Sequence, residues 1–197
     1  GEPPQGQDRA QIELIARALS ERSQQRVAAI VHLARETGMR LREAILADLP
    51  RLQREAGQQG KINIQDGTKG GRSGASAPRW IAITDQISGA LDRAWEASPS
   101  RSRNLLAPNE SYKEFMQLVV RPARDLLHEH GLKGFHELRA AYACERYEQM
   151  TGFPAPVNRV RVYREDRELD LRARQQISHE LGHNRIDVVS AYIGGRR

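Results

Sequence analysis

The sequence predicts a mainly α-helical fold with one small antiparallel β-hairpin. Three observations carry this. Apolar residues recur at three- and four-residue spacing over most of the chain, only two short stretches alternate, and no internal repeat is present. Helices place residues i, i+3 and i+4 on one face, whereas strands alternate faces with a period of two. At 197 residues the chain is long enough for one domain with a proper core.

The elements follow in order. Residues 1–8 lack an apolar signal core and are expected to be a flexible lead before a folded domain over 9–197. Residues 8–21 set Ile12, Leu14, Ile15, Ala18 and Leu19 on one side of a helix. Residues 24–38 repeat apolar positions and end on Gly38, a natural C-cap. A third short helix covers 41–49. KINIQ (61–65) and RWIAI (79–83) alternate, and TKGGRSGASAP (68–78) between them is dense in Gly and Ser, so together they form a hairpin with a long loop.

Thr84 caps the next helix, and SPSRSRNLLAPNE is an exposed loop. Ser111 and Glu114 form a capping box opening YKEFMQLVVRPARDLLHEHGL, which Pro122 kinks or divides. HELRAAYACERYEQM (136–150) is an amphipathic helix. Residues 152–170 lose the helical period and are expected to be an insertion, where Val160 and Val162 alternate with arginines as in an extended arm. LRARQQISHELGH and RIDVVSAYIG then read as two short helices.

Composition narrows the function classes. Hydrophobic residues make up 39% and charged ones 28%, as in soluble globular proteins, and no apolar run is long enough to span a membrane. The single cysteine, Cys144, allows no internal disulfide and fits a reducing cytoplasm, where it reads as a packing thiol. Net charge is +6 with pI near 9.9, carried chiefly by arginine. The planar guanidinium fork binds phosphate through paired hydrogen bonds, so nucleic acid is the first partner class, with a generic basic enzyme as the plainer alternative.

His179-Glu180-Leu181-Gly182-His183 spells H-E-x-x-H, a spacing that lets one helix hold zinc. A catalytic zinc needs a third protein ligand. No His, Cys or Glu follows His183, Asp187 is the lone carboxylate there, and His136 is the upstream candidate. Gly182 inside the motif weakens a helix by about 1 kcal/mol relative to Ala. Zinc is the weaker reading, and no metal or other cofactor is expected.

Several polar residues stand where pattern alone does not ask for them. They are Arg40 in TGMRLREA, Lys69 in TKGGR, His136 and Arg139 in HELR, His183 in LGH, and Tyr192 nine residues further on. As a set, and in this order, they resemble the tyrosine recombinase (phage integrase) family over roughly residues 25–194.

The resemblance implies that Tyr192 attacks a DNA phosphodiester, giving a 3′-phosphotyrosyl bond and a free 5′-hydroxyl. Arg40 and Arg139 would hold the charge developing on the non-bridging oxygens. Losing one such donor typically raises a barrier by about 3–4 kcal/mol. A phenol, with a pKa of about 10, benefits from a nearby base, and His136 fits that role. Lys69 would protonate the departing 5′-oxygen, His183 would hydrogen-bond the phosphate, and Glu43 would buttress the site. Energy stays in the phosphotyrosine, so neither ATP nor metal is needed. A double-stranded recombination site and further protomers in a tetrameric synapse are the implied partners, in a bacterial or phage-encoded, nucleoid-associated setting.

Each assignment has a structural alternative. Arg40 pairs with Glu43 to cap a helix, and Lys69 is a solvated loop residue with Lys61 as its rival. Tyr192 is a core aromatic, although Tyr142, Tyr147 and Tyr163 lack the LGH context. His128, His130 and His179 read as surface residues. The chain also departs from the family pattern. Arg42 is bulkier than the small residue expected there, and Arg139 and His183 lie 44 residues apart, wider than is usual. The insertion carries Arg159, Arg161 and Arg164, which with Arg72 are candidate DNA contacts. No helical core-binding domain precedes the boxes and only IGGRR follows Tyr192, so a fragment of a longer recombinase is expected, monomeric and weakly active alone. A type IB topoisomerase-like strand transferase is the nearest rival, and a catalytically silent DNA-binding module is another.

Overall fold

The computed structural model describes residues 8–68, 78–159, 166–183 and 185–195. In chain order the elements are α1 (Arg9–Glu21), α2 (Gln25–Thr37), α3 (Leu41–Leu46), α4 (Leu49–Gln59), β1 (Lys61–Asn63), β2 (Trp80–Ala82), α5 (Asp85–Ala97) and α6 (Tyr112–Phe115). A π-helical turn (Met116–Val120), α7 (Arg121–Glu129), α8 (His136–Thr151), a 3-10 turn (Pro156–Asn158), α9 (Arg167–Glu180), a second 3-10 turn (Ile186–Val189) and α10 (Ser190–Ile193) complete the chain. The fold is mainly α with a two-stranded antiparallel sheet, as the periodicity predicted. Among the described residues no helix is long and apolar enough to cross a membrane.

Helix α2 is buried along most of its length because α1, α5 and α8 all pack on it. Its buried face includes a charge, Arg35, which has no exposed surface. Arg35 donates to both Asp8 oxygens (2.7 and 2.8 Å) and to Glu145 on α8 (3.0 Å), while Arg9 bridges Glu36 and Glu145. A buried charge is tolerated when it is paired and hydrogen-bonded, and here the pairing fixes α1, α2 and α8 to one another. Asp8 therefore belongs to the folded unit rather than to the expected lead. Beside the main core, a second cluster joins α8, α9 and the C-terminal turns through Tyr142, Tyr147, Ile177, Leu181, Val189 and Ile193.

Several boundaries differ from the sequence expectation. Helix α3 stops at Leu46 because Asp48 caps a separate helix, α4, accepting a hydrogen bond from Arg51 N–H at 3.2 Å. Pro50 in its first turn and Gly60 at φ +67° were the available signals for α4. The strands pair Ile62 with Ile81 and Asn63 with Trp80, and are shorter than the alternating stretches. Most of the long loop, residues 69–77, lies outside the described residues. Pro122 does not break the helix: the wider turn ahead of it, closed by Arg121 N–H donating to Met116 O, absorbs the irregularity. Residues 167–170, expected to be irregular, are the first turn of α9, capped by Asp166 through Leu169 N–H.

Gly38 decides how α2 meets the site. It adopts φ +73°, and a Cβ there would fall 2.7 Å from both Leu181 Cδ2 and Tyr142 Cδ1. The turn after α2 thus rests directly on α8 and on the end of α9. Gly38→Ala combines left-handed strain with overlap and is expected to lower unfolding free energy by roughly 1–3 kcal/mol. Urea unfolding checks this, and an unchanged midpoint would contradict the close approach.

Candidate active site

Glu43, in the first turn of α3, has no exposed surface and gathers three guanidinium groups. Its Oε1 accepts from the Arg40 backbone N–H at 2.8 Å, and its Oε2 accepts from Arg40 Nη1 at 3.2 Å. Arg79 Nη1 donates to the same Oε2, and Arg139 Nη1 lies 3.6 Å from Oε1. Burial alone would raise the Glu43 pKa, but Arg79 and Arg40 outweigh it and hold the carboxyl below its ordinary value. The carboxylate is ionised, and the cluster still carries more positive than negative charge.

Arg139 reaches from α8 to the end of α9. Its Nη2 donates to Leu181 O at 3.0 Å and approaches His183 Nε2 at 3.5 Å. Ser178 Oγ, donating to His183 O and Arg185 O, fixes the turn that presents His183. Burial, then Arg40, Arg139 and Arg79, lower the His183 pKa to about 4, so the ring is neutral near pH 7. Burial, then Arg40, lowers Arg139 to about 10, which leaves it charged. Arg139 Nε and Nη1 and Arg79 Nη2 are buried with no hydrogen-bond partner. Unsatisfied charged donors are destabilising, and an anion's oxygens would supply the acceptors.

Tyr192 faces this cluster from α10. Its ring centroid is 5.5 Å from the Arg139 guanidinium and 6.3 Å from the His183 ring. Burial of Val189 and Ile193 seats the segment, and buried Arg174 donates to Ser190 Oγ (3.1 Å) and Gly194 O (3.0 Å). The other described tyrosines are committed elsewhere. Tyr142 donates to Glu180, Tyr147 donates to Asp170, and the Tyr112 ring carries Arg42. Burial first, then the partner carboxylates, raises the Tyr142 and Tyr147 phenols above their usual range.

The sequence model of the family described as Integrase matches residues 2–145, well over half of the chain. The chain belongs to the integrase family. That match includes Arg40, Glu43, Lys69, His136 and Arg139 and ends before His183 and Tyr192. The crystal structure of XerA recombinase is similar over 95% of the chain, with a TM-score of 0.54 and 19% identity, so the likeness in fold extends past residue 145. The chain spans 59% of that protein's length. No curated protein matches it.

The integrase fold brings Arg40, Glu43, Arg139, His183 and Tyr192 together. His136 stands exposed at the start of α8, its ring beside Gly134, outside the cluster. Lys69, Arg72, Arg161, Arg164 and Tyr163 lie outside the described residues. Arg159 turns inward, donating to Pro154 O at 3.0 Å and to Tyr147 Oη at 3.4 Å, which argues against a free DNA-contacting arm at that position. Lys61 sits over the Trp80 ring at 4.7 Å, so it braces the sheet. The H-E-x-x-H spacing does not lie on one helix, because α9 ends at Glu180 and Gly182 has φ +80°. Glu180 is a buried anchor whose carboxylate accepts from Tyr142, Arg146 and Gln176.

The residue that sequence reasoning missed is Arg79. Its only cue was a cation at the strand entry, directly before the alternating apolar residues.

His183 gives the site a pH signature. A histidine whose folded pKa is depressed contributes stability above the unfolded value of 6.5, and that stability is lost as pH falls from there through about 4. In His183→Asn, unfolding free energy should decline less steeply across that window than in the unsubstituted chain. Parallel pH profiles for the two proteins would contradict a depressed His183.

Proposed function

We propose that this integrase is a site-specific DNA recombinase that cleaves and rejoins duplex DNA through a 3′-phosphotyrosyl intermediate formed by Tyr192. One observation carries the reading. A buried, net-positive cluster with unpaired guanidinium donors faces a half-buried tyrosine whose hydroxyl makes no hydrogen bond among the described residues.

In the proposed step, Tyr192 Oη forms a bond to phosphorus as the bond to the 5′-oxygen breaks. The phenol proton passes to a base, and His136, exposed and one helical turn from Arg139, is open to a bound backbone. Lys69 supplies a proton to the 5′-oxygen. Arg40, with a quarter of its side chain exposed, and Arg139 hold the non-bridging oxygens. His183 meets the phosphate as a neutral ring, and an arriving anion favours its protonation, so its pKa should rise on binding. Glu43 keeps the arginines from repelling one another. The phosphotyrosyl bond conserves the energy for rejoining, so the chemistry needs neither ATP nor metal. The partners are duplex DNA and, on that DNA, further copies of the recombinase.

The nucleophile is tested with duplexes of randomised central sequence carrying a 5′-bridging phosphorothiolate, whose thiolate leaving group does not reverse the cleavage. The unsubstituted chain should accumulate a covalent adduct. Tyr192→Phe should bind DNA and form none, because the phenyl ring has no atom able to attack phosphorus. An adduct from Tyr192→Phe would sink the assignment.

Binding itself should be electrostatic. Affinity for duplex DNA is expected to fall with salt, with a log–log slope of about −0.9 for each phosphate neutralised. Titrations at several salt concentrations read that slope, and a flat dependence would remove the phosphate backbone as the ligand.

A further inference from the structure

We propose that Arg79 is a positioning residue for this pocket, tying Glu43 to the turn that bears His183 so that Arg40 and Arg139 meet the phosphate in one fixed arrangement. The inference rests on the reaction proposed above. Arg79 enters β2 and is 4% exposed. Its backbone N–H donates to Asn63 Oδ1 at 2.7 Å, which locks it to β1. Its side chain then joins two elements that are distant in sequence. Nη1 donates to the Glu43 carboxylate on α3, and Nε donates to Glu180 O, at the end of α9, at 2.8 Å.

Gly182 closes the other side of the guanidinium. A Cβ at that residue would lie 3.0 Å from Arg79 Nη1 and 3.1 Å from Cζ. The turn before His183 is therefore shaped around Arg79 as well as around its own left-handed backbone. Two of the three guanidinium nitrogens are used in this bridge, and buried Nη2 has no partner. A lysine could keep the charge but could not span both acceptors with the geometry of the fork.

Arg79 also acts on the site through its field. The charged groups facing His183 are Arg40, Arg139 and Arg79, opposed by Glu43, with the Tyr192 ring alongside. Removing one of those cations makes protonation of His183 easier, whereas replacing it with another cation does not.

The test uses the full chain and the same randomised phosphorothiolate duplexes, comparing Arg79→Met and Arg79→Lys with the unsubstituted protein. Folded fraction is read by circular dichroism and adduct formation by single-turnover rates across pH. Arg79→Met should slow the adduct step by roughly a hundredfold per folded molecule, the scale of one lost preorganised donor. The part of its acid limb that His183 contributes, beside that of the base His136, should move to higher pH. Arg79→Lys should recover part of the rate and keep the acid limb in place. Losses matching only the unfolded fraction, with an unmoved limb, would overturn the positioning role, as would an unsubstituted rate in Arg79→Met. If Arg79→Met does not fold, Arg79→Lys decides: a folded protein at the unsubstituted rate refutes the bridge, and a folded protein slowed about tenfold or more supports it. Absence of any adduct from the unsubstituted chain fails the reaction itself, a result distinct from a normal adduct that is insensitive to Arg79.

Discussion

Glu43 has no exposed surface and faces Arg40, Arg79 and Arg139, and the rest of the site depends on that carboxylate staying ionised among them. Three like charges brought together in a poorly solvated place repel strongly, and desolvation adds a penalty for each. One anion at the centre relieves the repulsion without neutralising the group. Breaking a buried pair by deleting one partner typically costs about 3–5 kcal/mol, because the other charge is left uncompensated. The arrangement retains surplus positive charge and unpaired donors, which a bound anion would satisfy.

The scaffold sets up that cluster with a second ionic network, away from the site. Asp8, Arg9, Arg35, Glu36 and Glu145 hold α1, α2 and α8 in one relation, with nearly every charge matched. Arg40 follows α2 after the Gly38–Met39 turn, and Arg139 lies on α8 less than two helical turns before Glu145. Positioning of the two guanidiniums is thus inherited from helix packing rather than achieved by loops. The contrast between the networks is informative. The structural one leaves a single guanidinium nitrogen, Arg35 Nη1, without a partner, whereas the one at Glu43 leaves three, Arg139 Nε and Nη1 and Arg79 Nη2, beside a tyrosine.

Much of the helical framework was legible because it is local. Caps such as Thr84 and the Ser111–Glu114 box act within a few residues, and apolar spacing reports one face of one helix. Arg40, Glu43, Arg139, His183 and Tyr192 were legible as short boxes in a fixed order. Arg79 was not, since its partners are 36 and 101 residues away and nothing local marks a cation at a strand entry as buried. Glu180 stood out in the sequence only as a member of H-E-x-x-H for the same reason, its roles arising only once α8 lies beside α9. Helix α4 and the first turn of α9 had cap signals, Asp48 and Asp166, but polar helix faces diluted the apolar period.

The seat of Tyr192 follows from the shortness of its helix. Four residues cannot hold a helix through their own hydrogen bonds, since even isolated segments of about 12–15 residues are marginal in water. Its position must come from outside contacts, and these are specific. Ile193 and Val189 enter the second core, Gly194 packs against Pro156 and Val157, and Arg174 clamps Ser190 and Gly194 while paired to Asp170. The clamp grips the backbone and the flanking residues, while the Tyr192 ring rests against the second core and against Arg139 and His183, and its hydroxyl makes no hydrogen bond among the described residues. Such a cation–π contact is worth about 0.5–2 kcal/mol, less than a charge-assisted fork to phosphate. In the reaction proposed for Tyr192, an incoming phosphate would displace the ring from the guanidinium without disturbing the anchor beneath it, the freedom such a nucleophile would require.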